Sequence, residues 1–128
     1  MERERLLIDT SILIDHLRKT QKDKTVFFQL ASRYDYLISA ITEFEFSIGS
    51  TPQNRQFTET LLARLPVLPF DSAGVQRASK IYRDLKSKNQ LISLPDIFIA
   101  ATAIIHDLQL LTLNGKHFER VEDLKLYT

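Results

Sequence analysis

Cysteine is absent from this 128-residue chain, as is tryptophan. Without a thiol there is no disulfide, no thiolate zinc site and no cysteine nucleophile. Small secreted domains usually carry disulfides, so a cytoplasmic location is expected. Glycine is nearly as scarce: Gly49, Gly74 and Gly115 are the three present, and no two are close in sequence. A glycine-rich phosphate loop is thereby excluded, and with it most nucleotide-binding readings. Long apolar runs are missing too. The charged start Met1–Arg5 is followed by only three apolar residues before Asp9, too few for a signal-peptide core. No run approaches the roughly 18 apolar residues of a membrane span, so no membrane association is expected. Excess charge is lacking as well, with 17 basic and 16 acidic residues giving a net +1. Bulk charge therefore carries no nucleic-acid signal, and any such argument rests on local placement.

What is present fits one domain, residues 1–128, long enough to bury a core without a metal or disulfide staple. Leu6-Leu7-Ile8 reads as a short buried strand, and Asp9-Thr10-Ser11 as the start of a helix reaching about Lys19. Thr20–Lys24 reads as a loop and Val26–Ala31 as helical. Tyr36–Ala40 is a second strand, with Thr42 opening a helix that Gly49 closes. A helix carrying Phe57, Leu61, Leu62 and Leu65 follows Pro52. Pro66 and Pro69 then flank a brief third strand, Val67-Leu68. Asp71 or Ser72 caps a long helix through Leu85, which Asn89 ends in a left-handed conformation. Pro95 starts the most apolar helix, Asp96 to about Asp107. Leu110–Thr112 is a fourth strand, and Leu124–Tyr127 a candidate fifth. Short apolar strands alternating with helices predict a parallel sheet covered on both faces. Ligands in such folds bind at the carboxyl ends of the strands.

Acidic residues fall at those ends. Asp9 follows the first strand, Glu43 and Glu45 lie on the helix after the second, and Asp96 begins the apolar helix. Each has a structural explanation. Asp9 suits a helix N-cap, Thr42–Glu45 matches a capping box, and Asp96 complements a helix dipole. Together they suggest a shared site. Two carboxylates about 5 Å apart repel by roughly 3 kcal/mol at an effective dielectric near 20, and a hard cation such as Mg²⁺ or Mn²⁺ removes that cost.

Four segments then carry a family resemblance. Leu7–Asp15, Ile38–Gly49, Ile92–Ala103 and Leu111–Phe118 look, in order, like the motifs of PIN-domain proteins. In size and motif style the chain most resembles the VapC toxins of bacterial and archaeal toxin–antitoxin pairs. The resemblance implies a three-layer α/β/α sandwich with a central, mainly parallel sheet of four to five strands. It implies an Mg²⁺-dependent endoribonuclease, with Mn²⁺ as substitute, whose metal is held by Asp9, Glu45 and Asp96. It aligns Glu45, not Glu43, with the family's acid. Asn114 joins the catalytic set, with Thr10, Ser11 and Thr112 in support. The implied partners are an RNA substrate, transfer or ribosomal, a small antitoxin and a second copy of the chain. One departure is visible: relatives often carry a further acid in the last motif, where Asn114 and His117 stand here. One firmly held metal is therefore expected.

Other features have two readings each. Lys80 and Arg83, with Arg77, Lys86 and Lys88, form a basic helix side that is either solvated or an RNA contact. His16 and His106 read as surface or helix-end residues, and His117 as a candidate neighbour of the site. Phe27 and Phe28 cannot share one buried face, so one of them is a candidate interface residue. The alternatives to a nuclease are a catalytically inactive PIN-like scaffold that binds RNA or protein, and a phospho-receiver-like module. The latter would need a mid-chain acid, for which Asp71 is the candidate.

Overall fold

The computed structural model describes residues 3–128; Met1 and Glu2, part of the charged start, lie outside them. Four strands, β1 (Glu4–Ile8), β2 (Tyr34–Ser39), β3 (Val67–Leu68) and β4 (Gln109–Leu111), form one sheet in the order β3-β2-β1-β4. Every pairing is parallel, with Leu7 opposite Leu37 on one side and Leu110 on the other. Successive side chains of a strand point to opposite faces. Leu6, Ile8, Tyr36, Ile38 and Leu111 accordingly enter one core, and Leu7, Leu37 and Leu110 the other. Both faces are buried, which is why these strands are apolar without alternation.

The first core is roofed by α1 (Thr10–Arg18), α2 (Val26–Leu30), α3 (Ala40–Ile48) and α4 (Arg55–Ala63). The second is covered by α5 (Ser72–Ser87), α6 (Leu94–Ile105) and the short α7 (Gly115–Phe118). Right-handed crossovers explain this division. The chain steps from β1 through β2 to β3 in one direction, placing α1–α4 on one face. It then returns past β1 to β4, which forces α5 and α6 onto the other. The reversal occurs between β1 and β4, and a crevice opens at the carboxyl ends of strands flanking such a switch.

Several local expectations need correction. Thr20–Lys24 includes a 3₁₀ turn, Lys22–Lys24, whose Lys22 ammonium donates to three carbonyls at the end of α1. Helix α3 begins at Ala40, because the Ser39 hydroxyl caps it by accepting from the Thr42 amide. Leu124–Tyr127 forms a single bridge, Leu110 to Leu126, rather than a full fifth strand. His16 sits in the last turn of α1 but is buried, with Nδ1 2.8 Å from the Thr25 hydroxyl and its ring 4.7 Å from that of Phe27. Asn89 does adopt the left-handed conformation, at φ 54°. No helix among the described residues is long and apolar enough to cross a membrane.

Gly74, buried in the first turn of α5, has no room for a methyl group: a Cβ there would stand 2.9 Å from two ring carbons of Phe70. That ring is itself wedged 4.9 Å from Phe98. Alanine gains about 1 kcal/mol of helix propensity over glycine, while overpacking costs about 1–3 kcal/mol. Gly74→Ala is therefore expected to lower the denaturation midpoint. A variant more stable than the parent would show that the Phe70 ring moves aside freely.

Candidate active site

Asp9 sits at this switch point, directly after β1. It is the N-cap of α1, its backbone amide donates to Leu111 O of β4 at 3.1 Å, and it is 2 % exposed. Its Oδ1 accepts from the Ser11 amide at 3.1 Å and the Ser11 hydroxyl at 2.5 Å; its Oδ2 accepts from the Thr112 hydroxyl at 2.6 Å. Thr112 follows β4, so this last bond closes the gap between the two strands where the crossover direction reverses. The Ser11 hydroxyl also accepts from the Leu113 amide, and the Thr112 hydroxyl from the Asn114 amide. Both hydroxyls thus have their protons directed at the carboxylate.

Burial pushes the Asp9 carboxyl above the usual range. The Ser11 and Thr112 hydroxyls and the Ile12 amide oppose that shift, and the negative charge of Asp96 adds to it. Asp9 and Asp96 therefore feel one another. Asp96 lies in the first turn of α6, where its amide donates to the Ser93 cap, and its Oδ2 is 3.9 Å from His117 Nδ1.

Glu45 comes from the other side. Its Oε1 accepts from the Thr10 hydroxyl at 2.7 Å. Thr10 in turn lies 3.2 Å from the Thr42 hydroxyl, which lies 3.3 Å from that of Ser39. The capping box drawn from Thr42 and Glu45 does not form, since Ser39 is the cap and Thr42 is wholly buried. Glu45 is left facing α1, whereas Glu43 is exposed. Asn114 is exposed at the start of α7, and its side chain makes no hydrogen bond among the described residues.

The sequence-derived residues thus form two linked groups: Asp9, Ser11, Thr112 and Asp96, and beside them Glu45 with Thr10. Lys80 and Arg83 are exposed on α5 and touch neither group. Lys80 lines a small cleft with Arg77, Asp84 and Asp123, and Arg83 the rim of an apolar cavity between α5 and α6. Asp15, on α1, pairs with Lys19 at 3.1 Å. His117 is the residue that sequence reasoning underrated. Its signal was its place three residues after Asn114, one turn along a short helix.

The chemistry of this donor set suits a hard cation. All donors are oxygens, and no Lys or Arg among the described residues pairs with Asp9, Glu45 or Asp96. A buried carboxylate under the influence of a second negative charge, with no cation, is costly. Among the described residues, however, no three acidic or histidine side chains stand close enough to hold a metal by themselves. The arrangement fits a cation bound by a carboxylate pair with water completing its shell, as Mg²⁺ prefers, rather than a cage of three acids.

Residues 6–124 match the family described as the PIN domain. The chain is 36 % identical to Ribonuclease VapC1 of Methanocaldococcus jannaschii over 98 % of its own length and 89 % of that protein's. It superposes on a chain of VapBC-1 from nontypeable Haemophilus influenzae with TM-score 0.82 at 26 % identity, covering 96 % of each. A toxin–antitoxin complex from Klebsiella pneumoniae gives TM-score 0.74 at 28 % identity, covering 93 % of this chain and 94 % of that one. The likeness spans the sheet, both helical layers and the acid-bearing strand ends, and on that basis the chain belongs to the PIN-domain family.

Proposed function

We propose that this chain is a metal-dependent endoribonuclease acting as the toxin of a type II toxin–antitoxin pair. The observation that carries the reading is Asp9, buried between the carboxyl ends of β1 and β4, its carboxyl raised by burial and further by the negative charge of Asp96, with no Lys or Arg paired to either acid among the described residues. Asp9, through Oδ2, and Asp96 would hold Mg²⁺ or Mn²⁺, with Glu45 reaching it directly or through water. Oδ2 is the Asp9 oxygen with the fewer hydrogen-bond donors, one against two, and so has the more open side. A cation bound there supplies an activated water and a counter-charge for the phosphate.

The chain's own residues set the stage. Ser11 and Thr112 fix the Asp9 carboxylate in one orientation, which lowers the reorganisation needed when charge develops. Thr10 aims Glu45 toward the same crevice. Asn114 offers a neutral polar group at the rim where relatives often add charge. Three carboxylates carry −3 and one divalent cation +2, and the remaining charge is too small to hold a second ion firmly, so that ion would arrive with the RNA phosphate.

Two apolar surfaces suit the partners of such a toxin. Between α2 and α4 a cavity of about 270 Å³ is lined by Phe27, Phe28, Phe57 and Leu61, with Phe28 54 % exposed. It shares Phe27 and Leu61 with a larger cleft of about 610 Å³ bearing Arg3, Arg5 and Arg64. We assign this continuous groove to the antitoxin. On the opposite layer a cavity of about 480 Å³ between α5 and α6, bordered by exposed Val75 and Leu94, suits a second copy of the chain.

Purified antitoxin-free chain is expected to cleave bulk transfer or ribosomal RNA in Mg²⁺ or Mn²⁺ and to stop in EDTA. RNA binding without cleavage under every metal condition would favour the inactive scaffold, the reading that the lack of a three-acid cluster keeps open. A receiver-like module is disfavoured: Asp71, its mid-chain acid, caps α5 by accepting from the Gly74 amide.

A further inference from the structure

Beside Asp96 opens a cavity of about 240 Å³ that the carboxylate chemistry does not use. It is lined by Leu91, Ile92, Ser93, Asp96, His117 and Arg120. Its lining is of two kinds. The Asp96 carboxylate and the His117 imidazole, 3.9 Å apart, and Arg120 supply its polar lining; Leu91, 42 % exposed, and Ile92 supply apolar surface. We propose that this cavity is the subsite for the nucleotide adjoining the scissile bond, with Arg120 and His117 on its phosphate and Leu91–Ile92 against its base. The proposal rests on the ribonuclease reading above.

Arg120 is placed for such a role. Its neighbours Phe118 and Val121 are buried, so its backbone is anchored just beyond α7. One guanidinium nitrogen, Nη1, donates to Gln90 O and Leu91 O, both at a long 3.4 Å. Those acceptors are neutral, and no carboxylate pairs with Arg120 among the described residues. A guanidinium carries five N–H donors and matches phosphate geometry, so most of its donor capacity is uncommitted and its charge is unpaired among the described residues. A polynucleotide presents one negative charge per phosphate. The first falls at the acids and their cation, and the next needs a cationic side chain a short way along, as Arg120 in the same cavity as Asp96 provides. An exposed leucine at the rim suits a base face better than it suits solvent.

The test compares wild type with Arg120→Gln and Arg120→Lys. Gln keeps an N–H donor for Gln90 O and Leu91 O but loses the charge; Lys keeps the charge. Initial rates of bulk transfer and ribosomal RNA cleavage are measured in Mg²⁺ across a salt series, and melting curves check folding. Arg120→Gln is expected to raise the apparent KM about tenfold, with the larger part of the loss in KM rather than kcat. It should also flatten the salt dependence of log kcat/KM by about 0.7, the value of one single-strand phosphate contact. Arg120→Lys should restore most of both. Unchanged KM and salt slope in Arg120→Gln, with wild type active, would overturn the subsite while leaving the ribonuclease reading intact; a pocket serving a protein tail would give this result. A fall in kcat alone would make Arg120 a brace for the Gln90–Leu91 turn and would overturn it too. A wild-type chain that cleaves no RNA would remove both readings.

Discussion

Asp9→Asn and Asp96→Asn are each expected to reduce Mg²⁺-dependent RNA cleavage by more than about 10²-fold without unfolding the protein. Asn keeps the shape of Asp9 and serves as well as an N-cap. Its carbonyl can still accept from Ser11. Its amide can donate to the Thr112 hydroxyl, which already accepts from the Asn114 amide and has a second lone pair. Asp9→Ala, by contrast, strands the half-buried Ser11 and Thr112 donors and should cost about 1 kcal/mol or more. The metal-free melting temperature carries the sharper signature. Burial, reinforced by Asp96, raises the Asp9 carboxyl in the folded state above its ordinary 3.8. Its contribution to stability is then fully present below that ordinary value and is lost as pH rises through the higher folded value. In EDTA near neutral pH, Asp9→Asn should therefore melt at or above wild type, and the difference should shrink as pH falls toward 4. Added Mg²⁺ should raise wild type and leave the variant behind. Undiminished cleavage by a folded variant would sink the assignment. A melting temperature well below wild type in EDTA would mean that the Ser11 and Thr112 bonds to the carboxylate outweigh its burial and its repulsion by Asp96.

Glu45→Gln should lower kcat by about 10–100-fold, while Glu43→Gln changes it less than about twofold. Residues two apart on a helix point about 200° from one another, so one metal cannot face both. Glu45 is half-buried and accepts from the Thr10 hydroxyl at 2.7 Å, whereas Glu43 stands exposed in the first turn of α3. Single-turnover cleavage with saturating enzyme would separate the chemical step from RNA binding. Equal losses in the two variants would show that Glu45 is only part of the hydroxyl chain bracing α1 against α3.

The amino-acid sequence by itself determined what its neighbours along the chain decide. The apolar triplets of β1 and β2, the Asp9 cap, the proline near the start of α6 and the left-handed Asn89 all follow from steric and capping preferences of a few adjacent residues. Those elements in that order, with four spaced motifs, sufficed for the fold class and made Asp9, Glu45 and Asp96 the candidates. Which side chains meet was beyond local reading. Thr112 reaches Asp9 across 103 residues, and Thr10 reaches Glu45 across 35. Each contact exists because the strand order places β1 between β2 and β4. The start of α3 was misread for a related reason: a cap at Ser39 and a box at Thr42 are nearly equivalent locally, and the choice went to the one that buries Thr42 against Thr10. His16 was drawn inward by Thr25 and Phe27, and His117 brought to Asp96, by helix packing that no short window of sequence encodes. Local propensity selects the elements; tertiary structure alone selects the partners, because partners depend on register and layer, and both are set only when the sheet is assembled.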